Sequence, residues 1–254
     1  MNTIEVKKEN IIDNYKYSDY LGINKYDLDI YTFALLNNQI YYIKRGLDKY
    51  AIINELALPR IYNHSNMAAA NNIYGVYKDE EVILSPVYCC NGIKNIFLDT
   101  KTKWTYELTE LDNFLNDKLT YPGNKERLRE ELIKMIALDY LTSQEDRHYD
   151  NFKIGLINGE YTLLPLFDFE MSMNVSDEYC VSNNYFKLLS LHFKKYAKLY
   201  PDFVSTIKNF DIKYLDVIFS EIEKYYNLNI ESEYIQKYFD VIHDNKAILQ
   251  MRLL

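Results

Sequence analysis

Up to Tyr88 the apolar positions mostly alternate with polar ones; from Leu108 they recur every three or four residues. DLDIYTFALL and IYYIKR flank a polar NNQ, which predicts two strands within Asp27 to Arg45 around a tight turn at Asn37 and Asn38. Lys49 to Tyr62, KYAIINELALPRIY, has helical spacing at Ile52 and Leu56, and Pro59 is expected to end or bend that helix. Ile73 to Tyr77 and Glu81 to Tyr88 read as short strands around KDEE, while residues 1 to 26 read as a lead-in or part of a sheet edge. In the second half, LTELDNFLNDKLTY and NKERLREELIKMIALDYLTS read as amphipathic helices separated by Pro122 and Gly123. Ile136 to Phe169 then gives an apolar helix end, a charged loop, a β-hairpin and a second charged turn. Asn184 to Leu199, Pro201 to Asn209, Lys213 to Tyr226 and Ile230 to Arg252 read as further helices. The order predicts an α+β chain with a small β-rich N-lobe, residues 1–88, and a helical C-lobe, residues 89–254.

Composition narrows the function. At 254 residues the chain is long enough for one large domain or two lobes sharing a cleft, and a hydrophobic fraction of 48% can fill a core. The 26 tyrosines accompany many Asn, Lys and Ile and only 7 Gly, a usage that fits biased codon supply better than a binding feature. A net charge of −8 argues against nucleic acid as the main ligand. Cys89, Cys90 and Cys180 are too few and too poorly spaced for a disulfide framework or a zinc site. No run approaches the ~18 apolar residues of a membrane span, and the start has no secretory apolar region. A cytoplasmic protein is expected, in its own cell or in one into which it is delivered.

Phosphoryl transfer from a nucleotide asks a protein for a cation near the phosphates, oxygen ligands for Mg²⁺ and a base for the acceptor. Such residues occur in a workable order. Lys44 ends a strand, Glu55 follows on a helix, Asp146 and Asn151 lie on a loop after an apolar helix, and Asp168 follows LLPLF. Taken singly, each has an ordinary reading as a turn former or solvated charge, and Lys25 and Lys49 compete with Lys44. No Walker loop, dinucleotide fingerprint, nucleophile elbow or zinc-protease helix is present.

QEDRHYDNF (Gln144 to Phe152) followed by LLPLFDFE (Leu163 to Glu170) resembles the catalytic and metal-binding loops of HipA-like kinases. YYIKRG and INELALPRIY resemble, more loosely, the strand with the nucleotide lysine and the helix with its ionic partner. The resemblance implies a bilobal protein-kinase-like fold, ATP and Mg²⁺ as cofactors, and transfer to Ser or Thr of a protein. It implies that Asp146 activates the acceptor hydroxyl, that Asn151 and Asp168 bind Mg²⁺, and that Lys44, held by Glu55, contacts the α- and β-phosphates. Ser85 to Tyr88 would form the hinge along adenine, through Ser85, Val87 and Tyr88. His148 would be a structural group, and Asp150 and Glu170 flank the key residues.

The resemblance further suggests a growth-inhibiting toxin or a delivered effector, with an antitoxin or other partner subunit. The phosphate-covering loop cannot be mapped: KYSDYLGINKYDLD carries only Gly22, with Ser18 as a nearby serine for autophosphorylation. Two other readings stay open, a lipid or small-molecule kinase of the same broad fold and a nucleotide-binding pseudokinase acting as an interaction module.

Overall fold

The lead-in does reach a sheet edge. Its short strand β1 (Ile4–Glu5) runs parallel to β4 (Ile73–Tyr77), where a Cβ on Gly75 would stand 2.8 Å from the Ile4 carbonyl. Glycine allows that approach. The computed structural model describes residues 3–14, 16, 31–88, 94–96, 108–119, 122–144, 146–148, 151–173, 192 and 194–253. Lys25, Ser18, Gly22, Asp150 and the three cysteines lie outside the described residues.

β2 (Phe33–Leu36) and β3 (Gln39–Lys44) form the expected hairpin; Asn37 and Asn38 take φ of 49° and 63°. Asparagine tolerates this left-handed backbone, and two such residues match the twist of the flanking strands. β5 (Glu80–Pro86) pairs with both β3 and β4, giving the order β1-β4-β5-β3-β2. In this register Lys44 faces Ile83 and Tyr42 faces Ser85, so all four share one face of the sheet. The other face buries Val6, Ala34, Ile43, Tyr77, Val82 and Leu84 against one another.

Between β3 and β4 comes α1 (Lys49–His64), which the Asp48 carboxylate caps by accepting from the Ala51 N–H at 2.7 Å. Pro59 does not end it. The helix passes through the proline to His64 because the acceptor that Pro59 cannot serve, the Glu55 carbonyl, takes a hydrogen bond from Asn72 Nδ2 at 2.9 Å.

The second half holds β6 (Lys94–Ile96), α2 (Leu108–Asn113), which passes into a π-helical turn over Phe114–Lys118, and α3 (Glu126–Leu141). β6, which the alternation of residues did not reveal, pairs with the hairpin of β7 (Ile154–Ile157) and β8 (Glu160–Leu163). Among the helices that follow are α4 (Pro201–Asn209), α5 (Tyr214–Tyr226) and α6 (Ser232–Leu253). Of the helix expected over 184–199, residues 192 and 194–199 are described, and they are helical. α1 packs with these helices: Leu56, Ile61, Ile136, Leu138, Phe169 and Ile218 belong to one buried cluster. Each such side chain contributes about 1.5–3 kcal/mol by leaving water.

One backbone contact joins the halves next to the site. Ala70 N–H donates to the Leu166 carbonyl at 2.7 Å and Leu166 N–H to the Ala68 carbonyl at 2.9 Å, two residues before Asp168.

Candidate active site

Lys44 is 6% exposed at the end of β3. Its Nζ donates to Glu55 Oε1 at 2.6 Å and to Asp168 Oδ1 at 2.5 Å, with Glu170 Oε2 at 3.5 Å. Ligand oxygens of these three carboxylates lie within 4.8 Å of one another around the Lys44 ammonium. Burial pulls the Lys44 pKa down, but Glu55, Asp168 and Glu170 together push it above its usual range. Burial raises Asp168, and Lys44, together with Arg147 and His148, more than reverses this, so its carboxyl is held below the usual range. Glu55 is fully buried; its Oε1 also accepts the Phe169 N–H at 2.8 Å and its Oε2 accepts Asn72 Nδ2 at 2.6 Å.

The loop after α3 comes to the same place. Asn245 of α6 donates Nδ2 to the Tyr140 and Leu141 carbonyls at 3.0 and 3.1 Å, partnering acceptors at the end of α3. Gln144, fully buried, accepts the Asp146 N–H through Oε1 at 3.1 Å and donates Nε2 to the Asp168 carbonyl at 3.2 Å. Arg147, also fully buried, pairs with Asp139 at 3.3 Å. Its Nη1 donates to the carbonyls of Asn151, at 2.8 Å, and Phe167, at 3.0 Å. One guanidinium therefore clasps the backbone at Asn151 and the backbone just before Asp168. Asn151 Nδ2 donates to the Asp146 carbonyl at 2.6 Å, which turns its Oδ1 the other way. Asp146 is more open, with 40% of its side chain exposed, and His148 Nε2 lies 3.6 Å from its Oδ2. Asp168 itself has φ of 65°, a left-handed backbone that costs on the order of 1–3 kcal/mol outside glycine. Lys44, Gln144 and the Phe169–Glu55 bond hold it there.

No protein-family model matches the sequence, and no curated protein matches it either. Solved structures do match. The Helicobacter pylori proinflammatory kinase CtkA superposes with a TM-score of 0.59 at 14% identity, covering 86% of this chain and 90% of that one. The HipA of Shewanella oneidensis, from a toxin–antitoxin complex with HipB and operator DNA, gives 0.54 at 12% identity. That match covers 82% of this chain and 58% of the HipA chain. The fold is that of HipA-like kinases.

Within this HipA-like kinase fold, the structure brings Lys44, Glu55 and Asp168 into direct contact and links Asp146 and Asn151 to them through Gln144 and Arg147. Lys49, which competes with Lys44 in the sequence, pairs at the surface with Glu231 at 2.8 Å. Ser85 is buried on the Lys44 face of β5. Val87 has its N–H bound to the Ile40 carbonyl and its carbonyl bound by Gln39 Nε2, both at 2.9 Å. Its side chain packs with Ile12, Phe33, Ile40 and Tyr42, an apolar patch on the Lys44 face of the sheet. The Tyr88 hydroxyl accepts the Asn71 N–H at 3.4 Å.

Four further residues build the site without having been marked as such in the sequence. Asn54 and Asn72 fix α1, Gln144 joins the two loops, and Asp139 holds Arg147. Pro59 was the available signal for Asn72, since a proline inside a helix leaves one carbonyl needing a donor. Asn151 and Asp168 are hard oxygen donors, one of them an ionised carboxylate with Glu170 close by, and this set fits Mg²⁺.

Proposed function

We propose that the protein is an ATP- and Mg²⁺-dependent phosphotransferase acting on Ser or Thr of a protein. The observation that carries this is Lys44 bound at once by Glu55 and Asp168, three residues from separate stretches of the chain, beside a loop that presents Asp146 and Asn151. Lys44 binds the α- and β-phosphates, and Glu55 keeps its ammonium in place. Asn151 and Asp168 would hold Mg²⁺, which when bound offsets charge on the phosphates. Asp146, more open than Glu55, Asp168 and Glu170, orients the acceptor hydroxyl and takes its proton. The patch of Phe33, Ile40, Tyr42 and Val87, with Ser85 and Tyr88 on the neighbouring hinge stretch, would receive adenine. We place the boundary between the lobes at residues 88 and 89.

The net charge of −8 suits a protein acceptor better than free nucleic acid. No helix among the described residues is long and apolar enough to cross a membrane, and a cytoplasmic site of action is proposed. By likeness to a kinase described as proinflammatory and to a HipA crystallised with HipB, the role proposed is that of a toxin or delivered effector with a possible protein partner.

The test is transfer of label from γ-labelled ATP, with Mg²⁺, to the protein itself, to a cell lysate and to a lipid extract. Wild type is expected to label protein on Ser or Thr, and Asp146→Ala to lose at least about a hundredfold in rate. Label on lipid alone would replace the acceptor class. ATP binding without transfer would replace the enzyme with a nucleotide-binding module.

A further inference from the structure

We propose that Asn72 is a positioning residue for the Lys44–Glu55 pair and that it works through the acceptor left open by Pro59. The activity readout of this proposal rests on the phosphotransferase reading of the site; its geometric content does not.

In an uninterrupted α-helix the Glu55 carbonyl would accept the N–H of residue 59. Residue 59 is proline, which has none, yet α1 continues to His64. Asn72, 3% exposed in the connection from α1 to β4, supplies the missing donor. Its Nδ2 donates to the Glu55 carbonyl at 2.9 Å and to Glu55 Oε2 at 2.6 Å. Both hydrogens of one amide are thus spent on one residue, on its main chain and on its carboxylate.

The orientation of that amide follows from the partners. Reversed, Asn72 Oδ1 would face a carbonyl and a carboxylate, three acceptors with no hydrogen among them. In the orientation present, Oδ1 is buried and accepts no hydrogen bond among the described residues. An unsatisfied buried oxygen is unfavourable, so packing around Oδ1 does not account for an amide here; the two Nδ2 contacts do. The Asn72 carbonyl in turn accepts the Tyr226 hydroxyl of α5 at 3.4 Å, which ties the residue to the helical half.

The consequence is for Glu55 Oε1. That oxygen serves Lys44 and the Phe169 N–H together, and it can meet both only in one rotation of the carboxylate. Asn72 fixes that rotation by holding Oε2, and fixes the helix beneath it by holding the carbonyl.

Two readouts test this on the full chain, with Asn72→Ala, Pro59→Ala and the double variant. The first needs no nucleotide: acylation of Lys44 by acetic anhydride, followed by mass spectrometry with Lys49 as internal reference. The second is the KM for ATP beside the urea midpoint. Pro59→Ala restores an N–H to the Glu55 carbonyl, so the double variant is expected to regain the part of the midpoint that Asn72→Ala loses through that carbonyl. Its Oε2 still lacks a donor, so Lys44 acylation and KM are expected to stay raised, by about tenfold.

Lys44 acylation in the folded double variant equal to that of wild type would overturn the proposal. So would a KM that returns with the midpoint. Should wild type itself transfer no phosphate, the phosphotransferase reading fails, while Lys44 acylation still decides the role of Asn72.

Discussion

Glu170 stands farther from Lys44 than Glu55 or Asp168 does, and its pKa moves the opposite way from that of Asp168. Burial raises Glu170, Lys44 pulls it back, and Asp168 and Glu55 repel its charge, with a net shift upward. For such a group the stabilising contribution is full below the unfolded pKa and is lost as pH rises through the folded one. Glu170→Gln is therefore expected to raise Tm at neutral pH and to converge on wild type as the pH falls below 4.5. Thermal melts across pH check this. Asp168 has the reverse sign: its depressed pKa gives stability that is present above its unfolded value and lost as pH falls through the folded one. At this scale the local spacing of Asp146, Arg147, His148 and Asn151 was legible because the loop is one short stretch. Glu170 reads in the sequence as a flanking residue, supporting the ligands or simply solvated, because its contact is with a lysine far away in the chain, at the end of β3.

At the scale of elements, α1 and α3 meet through a buried polar cluster. The Tyr62 hydroxyl donates to Asp139 Oδ1 at 2.7 Å, and the same carboxylate pairs with Arg147, both charged side chains being fully buried. Removing one member of a buried pair leaves an uncompensated charge, at about 3–5 kcal/mol. Asp139→Ala is expected to cost that much, measured as a drop in the urea midpoint, against about 1 kcal/mol for Tyr62→Phe. The extent of α3 was readable from its apolar spacing, and the turn at Asn37 and Asn38 from its residue types. The helix runs on past Pro59 rather than ending there: the rule counts the hydrogen bond lost within the helix, and the replacement donor lies beyond the helix at Asn72.

At the scale of the molecule, α6 braces the site from behind. Asn54 Oδ1 accepts the hydroxyls of Tyr234, at 2.8 Å, and Tyr238, while its Nδ2 donates to the carbonyls of Glu170 at 2.9 Å and Ser172 at 3.1 Å. Asn245 on the same helix holds the end of α3. Tyr234→Phe with Tyr238→Phe is expected to lower stability by about 1–3 kcal/mol and to weaken nucleotide binding, read by denaturant unfolding and ATP titration. Tyrosine abundance, which in composition suggests codon bias, supplies several of these buried hydroxyls. The two-lobed order was visible because hydrophobic spacing changes period along the chain. The contacts that join α1, the loops and α6 were not, because they pair residues far apart in sequence.

The most direct test of the site is a calorimetric titration of ATP, with and without Mg²⁺, into wild type and Asp168→Asn. Wild type is expected to bind ATP more tightly when Mg²⁺ is present, and Asp168→Asn to lose that difference. Equal binding by both proteins regardless of Mg²⁺, or no binding by wild type, would contradict the assignment of Lys44, Asn151 and Asp168 to a metal–nucleotide site.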